Sequence, residues 1–122
     1  MKKILLVEDN SANRLLFSRI FSSLGYICIC ASDGQRALHT LEDNPEIACV
    51  FSDCQMPILD GPGLAQELRQ RRGAKFPILL YSSFLSAKEL EELKRKGASA
   101  VLSYPLTPAL VKKHLTHYLS DT

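Results

Sequence analysis

The stretch Ile47-Ala48-Cys49-Val50-Phe51-Ser52-Asp53-Cys54-Gln55-Met56-Pro57-Ile58-Leu59-Asp60-Gly61 joins an apolar run to an acidic loop, and a segment of helical period follows it. A run that is apolar at nearly every position suits a strand covered on both faces, as in a parallel sheet. Beyond the loop, from about Gly61 to Arg72, Leu64, Ala65 and Leu68 recur at helical spacing and Gly73 stops the run. The unit is therefore a buried strand, a carboxylate (Asp53) at its end, and a helix.

The same unit recurs on either side. Ile4 to Val7, Tyr26 to Cys30, Ile78 to Tyr81 and Ser99 to Leu102 read as four more strands. Between them, Leu16, Ile20 and Leu24, with Phe17 and Phe21 beside them, form an apolar stripe that Gly25 closes. Ala37, Leu38 and Leu41 mark a helix opened near Ser32-Asp33. Ser86 and Glu89 form a capping box for a helix with an acidic front half and a basic end at Lys94-Arg95-Lys96. Thr107 and Pro108 open the last helix, in which Leu110, Val111, Leu115, Tyr118 and Leu119 are available for packing. Five βα units in 122 residues predict a single α/β domain over 1–122, with a parallel sheet and helices on both faces.

Composition narrows the function classes. Lys plus Arg is 15, Asp plus Glu is 13, and 46% of residues are apolar, which is globular and too weakly basic to argue for nucleic acid. No apolar run approaches the ~20 residues of a membrane helix. The apolar stretch behind Met1-Lys2-Lys3 ends at Glu8-Asp9, short of a secretion signal, so a cytoplasmic location is expected. Cys28, Cys30, Cys49 and Cys54 are then expected as reduced thiols.

Functional groups of such a sheet gather at the carboxyl ends of its strands. Those ends carry Glu8-Asp9, Asp53, Ser82-Ser83 and Tyr104-Pro105. Three carboxylates at one edge repel one another unless a cation joins them or some are protonated. An oxygen-only set of this size suits Mg²⁺ better than Ca²⁺, which wants ~6 to 8 oxygens.

Val7-Glu8-Asp9-Asn10, the segment Asp53 to Gly61 (D-x-x-M-P-x-x-D-G), Pro77 to Ser83 and Gly97 to Pro105 together resemble the receiver domain of two-component response regulators. The likeness runs through essentially the whole chain. It implies a flavodoxin-like (βα)5 doubly wound five-stranded sheet of order 2-1-3-4-5. It implies Asp53 as phosphoacceptor, Glu8, Asp9, Asp53 and the backbone carbonyl of Gln55 as Mg²⁺ ligands, and Ser82 as the switch hydroxyl. The expected donor is a sensor histidine kinase or histidine phosphotransfer protein, approaching near Asn13 and Arg14. Output passes to a downstream effector by protein contact, with no direct nucleic-acid or membrane partner. The face made by helix four, strand five and helix five is the expected contact surface, including for a weak homodimer, with Leu85, Lys88, Glu92 and Tyr104 exposed there. No enzymatic activity is implied beyond phosphorylation and dephosphorylation of Asp53 itself, and Pro105 follows a cis peptide in the family.

Two positions depart from the family pattern. Tyr104 stands where the family has a lysine, and Val101 where an aromatic is frequent. A lysine places a positive charge against the phosphate, on the order of 4 kcal/mol for unit charges about 4 Å apart at an effective dielectric near 20, before desolvation. Tyrosine offers one neutral donor. The alternative reading is thus a degenerate receiver acting as a phosphorylation-independent interaction module. A flavodoxin-like cofactor binder would need a glycine- or hydroxyl-rich phosphate loop after the first strand, where Glu8-Asp9-Asn10 stands. An aspartyl phosphatase would want a carboxylate where Gln55 stands. Cys28 and Cys30, on one face of the second strand, and Cys54 are read as packing residues. His39, His114 and His117 match no metal spacing. Arg69, Arg71, Arg72 and Lys75 are read as a solvated helix end.

Overall fold

The computed structural model describes residues 1–83 and 85–120. Strands and helices alternate as β1 (Lys3–Val7), α1 (Ser11–Ser23), β2 (Ile27–Ala31), α2 (Gly34–Asp43), β3 (Ile47–Asp53), α3 (Gly61–Arg72), β4 (Ile78–Ser82), α4 (Ala87–Arg95), β5 (Ala100–Ser103) and α5 (Pro108–Leu119). The strands form one parallel sheet in the order β2-β1-β3-β4-β5, which is the expected (βα)5 architecture.

Side chains alternate across each strand, so one sheet makes two cores. Leu5 and Val7 of β1, Val50 of β3 and Ile78 and Leu80 of β4 pack with Ala37, Leu38, Leu41, Leu64, Ala65, Leu68 and Leu93, from α2, α3 and α4. On the other face, Ile4, Leu6, Phe51, Leu79 and Tyr81 pack with Phe17, Ile20 and Phe21 of α1 and Val111, Leu115 and Leu119 of α5. Burying each of the Leu, Val, Ile and Phe side chains is worth about 1.5–3 kcal/mol.

Every helix begins on a side chain that accepts the backbone N–H three residues on: Asn10 from Asn13, Asp33 from Arg36, Asp60 from Gly63, Ser86 from Glu89 and Thr107 from Leu110. Each cap contributes about 1 kcal/mol. Ser86 and Glu89 complete the expected capping box in both directions. The Tyr104–Pro105 peptide is cis, as in the family resemblance.

Four expectations are corrected. Leu16 is not in the α1 stripe: it is 54% exposed, as is Leu15, because Phe17 and Phe21 take the inward face against Phe51 and Tyr81. Cys28 and Cys30 share a face, but β2 is an edge strand, so Cys28 is half-buried and Cys30 exposed. Leu85 is half-buried against the α2–α4 core rather than exposed, and Glu92 is half-buried, while Lys88 and Tyr104 are exposed. Arg69 is a structural tie, not a solvated end group. Its guanidinium donates to the carbonyls of Gly97 (2.8 Å), Gly73 (2.9 Å) and Phe76 (2.6 Å) and to Ser99 Oγ (3.0 Å). It thereby joins α3 to the loops that lead into β4 and β5.

Because those carbonyls lose a charged donor when Arg69 is replaced, Arg69→Met is expected to lower the free energy of unfolding by about 2 kcal/mol. Urea denaturation checks this; a change within 0.5 kcal/mol, the usual range at unremarkable surface positions, would contradict the tie.

Candidate functional site

The pairing register levels the strand ends. Val7 lies opposite Ala31 and Ser52, Asp53 opposite Tyr81, and Ser82 opposite Ser103. Residues just beyond Val7, at Asp53 and around Ser82 and Ser103 therefore arrive at one carboxyl edge.

Glu8 extends the β1 ladder by one bond, its N–H donating to the Ala31 carbonyl at 3.0 Å. Its side chain then shares the face of Ile4 and Leu6 and turns inward, leaving it only 1% exposed. Two neutral donors hold it: the Tyr81 hydroxyl donates to Oε2 at 2.6 Å and Asn13 Nδ2 to Oε1 at 3.0 Å. Arg14 Nη1 donates to the Glu8 carbonyl at 2.8 Å. Asp9, next in the chain, is exposed.

Asp53 ends β3 half-buried, and the Gln55 N–H donates to its Oδ1 at 3.1 Å. One oxygen from each of Glu8, Asp9 and Asp53 lies within 4.8 Å of the others. Among the described residues, none of these three carboxylates is in an ion pair. The crowding has an electrostatic signature: burial, and after it the charges of Glu8 and Asp9, push the Asp53 carboxyl up to about 6, against the pull of the Gln55 N–H. A hard, oxygen-only donor set carrying excess negative charge fits a small divalent cation, so the three form a candidate metal-ligand cluster.

Ser82 is buried at the end of β4, 7% exposed, and its carbonyl accepts the Tyr104 N–H at 3.0 Å, which holds the β5 exit beside β4. Tyr104 is 42% exposed and stands perpendicular to the Tyr81 ring, with centroids 6.0 Å apart. Burial, then the charges of Asp53 and Glu8, push its hydroxyl up to about 12, so it stays a neutral donor. Cys54 is buried, as its reading as a packing residue requires, and burial followed by the charge of Asp53 pushes its thiol up to about 12. The loop from β3 to α3 is tight. A Cβ at Gly61 would stand 2.5 Å from the Asp53 carbonyl, and Ile58 adopts the left-handed region (φ 71°) while 82% exposed.

Glu8, Asp9 and Asp53 are thus brought together, with Gln55, Ser82 and Tyr104 on the same edge. Reasoning from sequence missed Tyr81, and it placed Asn13 and Arg14 near the site only as an approach surface. The missing signal was alternation: Ile4, Leu6 and Glu8 share one face of β1, and Leu79 and Tyr81 share that face of β4.

Comparison with known proteins agrees with this geometry. A family model described as the response regulator receiver domain matches residues 4–116. The sensor histidine kinase RcsC of Escherichia coli K12 is 38% identical over 115 residues, which is 94% of this chain but 12% of that protein. Chemotaxis protein CheY4 of Vibrio cholerae superposes with a TM-score of 0.88 at 28% identity, covering 97% of this chain and 98% of that one. The receiver domain of sensor histidine kinase PA1611 of Pseudomonas aeruginosa, whose structure has a magnesium ion coordinated in the active-site cleft, superposes with a TM-score of 0.87 at 27% identity, covering 98% of each chain. With its family model matched from the first strand into the last helix and its acidic cluster at the carboxyl edge of a 2-1-3-4-5 sheet, the chain belongs to the response regulator receiver domain family.

Proposed function

We propose that this receiver takes a phosphoryl group onto Asp53 and passes the resulting change to another protein by contact. The observation that carries this reading is the convergence of Glu8, Asp9 and Asp53 within 4.8 Å at the carboxyl edge of the sheet. Mg²⁺ is the proposed cation: those carboxylates and the carbonyl of Gln55 would hold it, and its charge would offset that on the transferring phosphoryl group.

The chain's own part is nucleophile and positioning. An Asp53 oxygen attacks the phosphorus of a phosphohistidine; the P–O bond of an acyl phosphate forms as the P–N bond breaks, and the freed imidazole takes up a proton. The Gln55 N–H on Oδ1 fixes the carboxylate's orientation. Ser82 supplies a hydroxyl donor for a phosphoryl oxygen. Tyr104 supplies a second neutral donor in the place of the family's lysine, and its ring against Tyr81 makes it the coupling element.

The proposed donor is a sensor histidine kinase or a histidine phosphotransfer protein. The likeness to RcsC supports this, although the chain spans 12% of that protein. The exposed pair Leu15 and Leu16, beside Asn13 and Arg14 on α1, suits a partner helix approaching the acidic site. The α4–β5–α5 face, with Lys88 and Tyr104 exposed, is the proposed surface for an effector or a weak homodimer. Among the described residues no helix is long and apolar enough to cross a membrane, and the proposed setting is the cytoplasm.

One observation favours a second reading, a phosphorylation-independent interaction module: the position that would meet the phosphate with a positive charge holds neutral Tyr104. Incubation with Mg²⁺ and a small phosphodonor, followed by intact-mass measurement, separates the two. The wild type is expected to gain one phosphate-sized increment and Asp53→Asn none. No gain, with a phosphohistidine protein also failing as donor, would overturn phosphotransfer and favour the interaction module instead. Tyr104→Lys is expected to raise the yield or lengthen the phosphorylated lifetime severalfold; yield and lifetime both unchanged would mean that the lysine's role is filled elsewhere.

Burial of Asp53, and after it the crowding by Glu8 and Asp9, also has a cost to stability. The Asp53 carboxyl rises from 3.8 to about 6 on folding, so its charged form destabilises the fold. The penalty is absent below pH ~4, grows as pH rises towards 6, and is complete above it. In Mg²⁺-free buffer Asp53→Asn is therefore expected to be more stable than wild type at pH 8 by about 1 kcal/mol, after allowing for solvent screening of a half-buried group, with the gap closing towards pH 4. Thermal unfolding across that range checks this; an equal or lower Tm for the variant at pH 8 would contradict it.

A further inference from the structure

We infer that Tyr81 is a positioning residue of the acidic centre: its buried hydroxyl fixes the Glu8 carboxylate, so that the aromatic core sets the affinity of the site for a divalent cation. The inference rests on the reading of Glu8, Asp9 and Asp53 as a Mg²⁺ site.

Glu8 is a carboxylate with 1% exposure, a placement that costs several kcal/mol unless its oxygens are satisfied. Neither oxygen meets a Lys or Arg side chain in an ion pair among the described residues; one meets Tyr81 and the other Asn13. At 2.6 Å, the Tyr81 bond has the length of a charge-assisted O–H···O⁻ contact, the stronger kind of hydrogen bond.

The hydroxyl's position is itself fixed. The Tyr81 side chain is 0% exposed, and its ring lies 5.0 Å from Phe17 and 5.0 Å from Phe51, centroid to centroid. Phe21 closes on Phe17 and Phe51 from behind. The ring cannot turn away without repacking that cluster, so Glu8 is held in one orientation by the core. A partner of this kind, which orients a ligand from behind, typically contributes 10–100-fold to metal affinity.

Tyr104 meets the edge or face of the same Tyr81 ring at 89°, so a movement of Tyr104 is felt by the residue that holds Glu8.

Tyr81→Phe keeps the ring and removes only the hydroxyl. Backbone amide NMR of the whole chain, titrated with MgCl₂, gives the Mg²⁺ Kd and also shows whether each variant is folded. Tyr81→Phe is expected to weaken Mg²⁺ binding about tenfold. In a Glu8→Gln background the same change is expected to cost less than about twofold, because a residue acting through Glu8 has nothing left to hold. An unchanged Kd in Tyr81→Phe, or the same tenfold loss in both backgrounds, would overturn the inference. If Tyr81→Phe fails to fold, the wild type decides: the Tyr81 hydroxyl proton, sheltered from exchange, is expected to shift on saturation with Mg²⁺, and a resonance that stays put counts against the proposal. Wild type that binds no Mg²⁺ overturns both this inference and the proposed function. Mg²⁺ binding without phosphorylation overturns phosphotransfer alone.

Discussion

Mutual repulsion among Glu8, Asp9 and Asp53 is the constraint around which the functional edge of this molecule is organised. Three carboxylates from two separate segments lie within 4.8 Å, and none is neutralised by an ion pair among the described residues. A fold tolerates such a cluster only where the rest of the structure leaves it no alternative. Here the parallel register of β1 and β3 delivers the acids to one level, and two cores, one on each face of the sheet, keep that register from slipping. The surrounding features then divide the load. Glu8 is sunk and bonded to neutral donors, Asp9 stands in solvent, and Asp53 is half-buried with its carboxyl raised by burial and by its neighbours' charges. A centre left with this much negative charge is a candidate site for a dication, and on the proposed reading a bound dication would give an acidic pocket affinity for an anionic phosphoryl group.

On the proposed reading, tyrosine at position 104, where the family resemblance expects a lysine, would change how that centre communicates. A lysine acts over distance through its charge, whereas a phenol acts only along a hydrogen bond or through contact of its ring. Tyr104 has both: a hydroxyl that stays protonated beside Asp53 and Glu8, and a perpendicular contact with Tyr81. The contacts continue inward through Phe17, Phe51 and Phe21, so the edge of the sheet and the α1 layer share one aromatic cluster. In this chain the site is tied to the core by shape and hydrogen bonding rather than by charge.

Much of this was legible in the sequence. Strict alternation of short apolar runs with helical stretches predicted five βα units, and local chemistry placed the caps at Ser86 and Thr107. The acidic triad followed from its position at strand ends, and the strand order from the family resemblance. What could not be read depended on which elements are neighbours. Leu16 looked like a core residue because periodicity alone cannot say which part of an apolar arc faces the sheet; Phe17 and Phe21 win that face because Phe51 and Tyr81 lie opposite them. Cys30 looked buried until β2 proved to be an edge. Arg69 resembled a solvated helix end because carbonyls 4 to 28 residues away in the chain cannot be counted from composition. Tyr81 meets Glu8 across 73 residues, with β3 lying between their strands, a contact that only the sheet order reveals.

The central claim, that the three carboxylates act as one cation site at the carboxyl edge, is tested most directly by substoichiometric Mn²⁺, a paramagnetic probe for a hard dication site, added to isotopically labelled protein. Amides at Glu8, Asp9, Asp53, Cys54 and Gln55 should broaden first and together, and excess Mg²⁺ should restore them. Broadening that begins elsewhere, or that spreads without order over exposed acids such as Glu42, Asp43 and Glu91, would contradict the account.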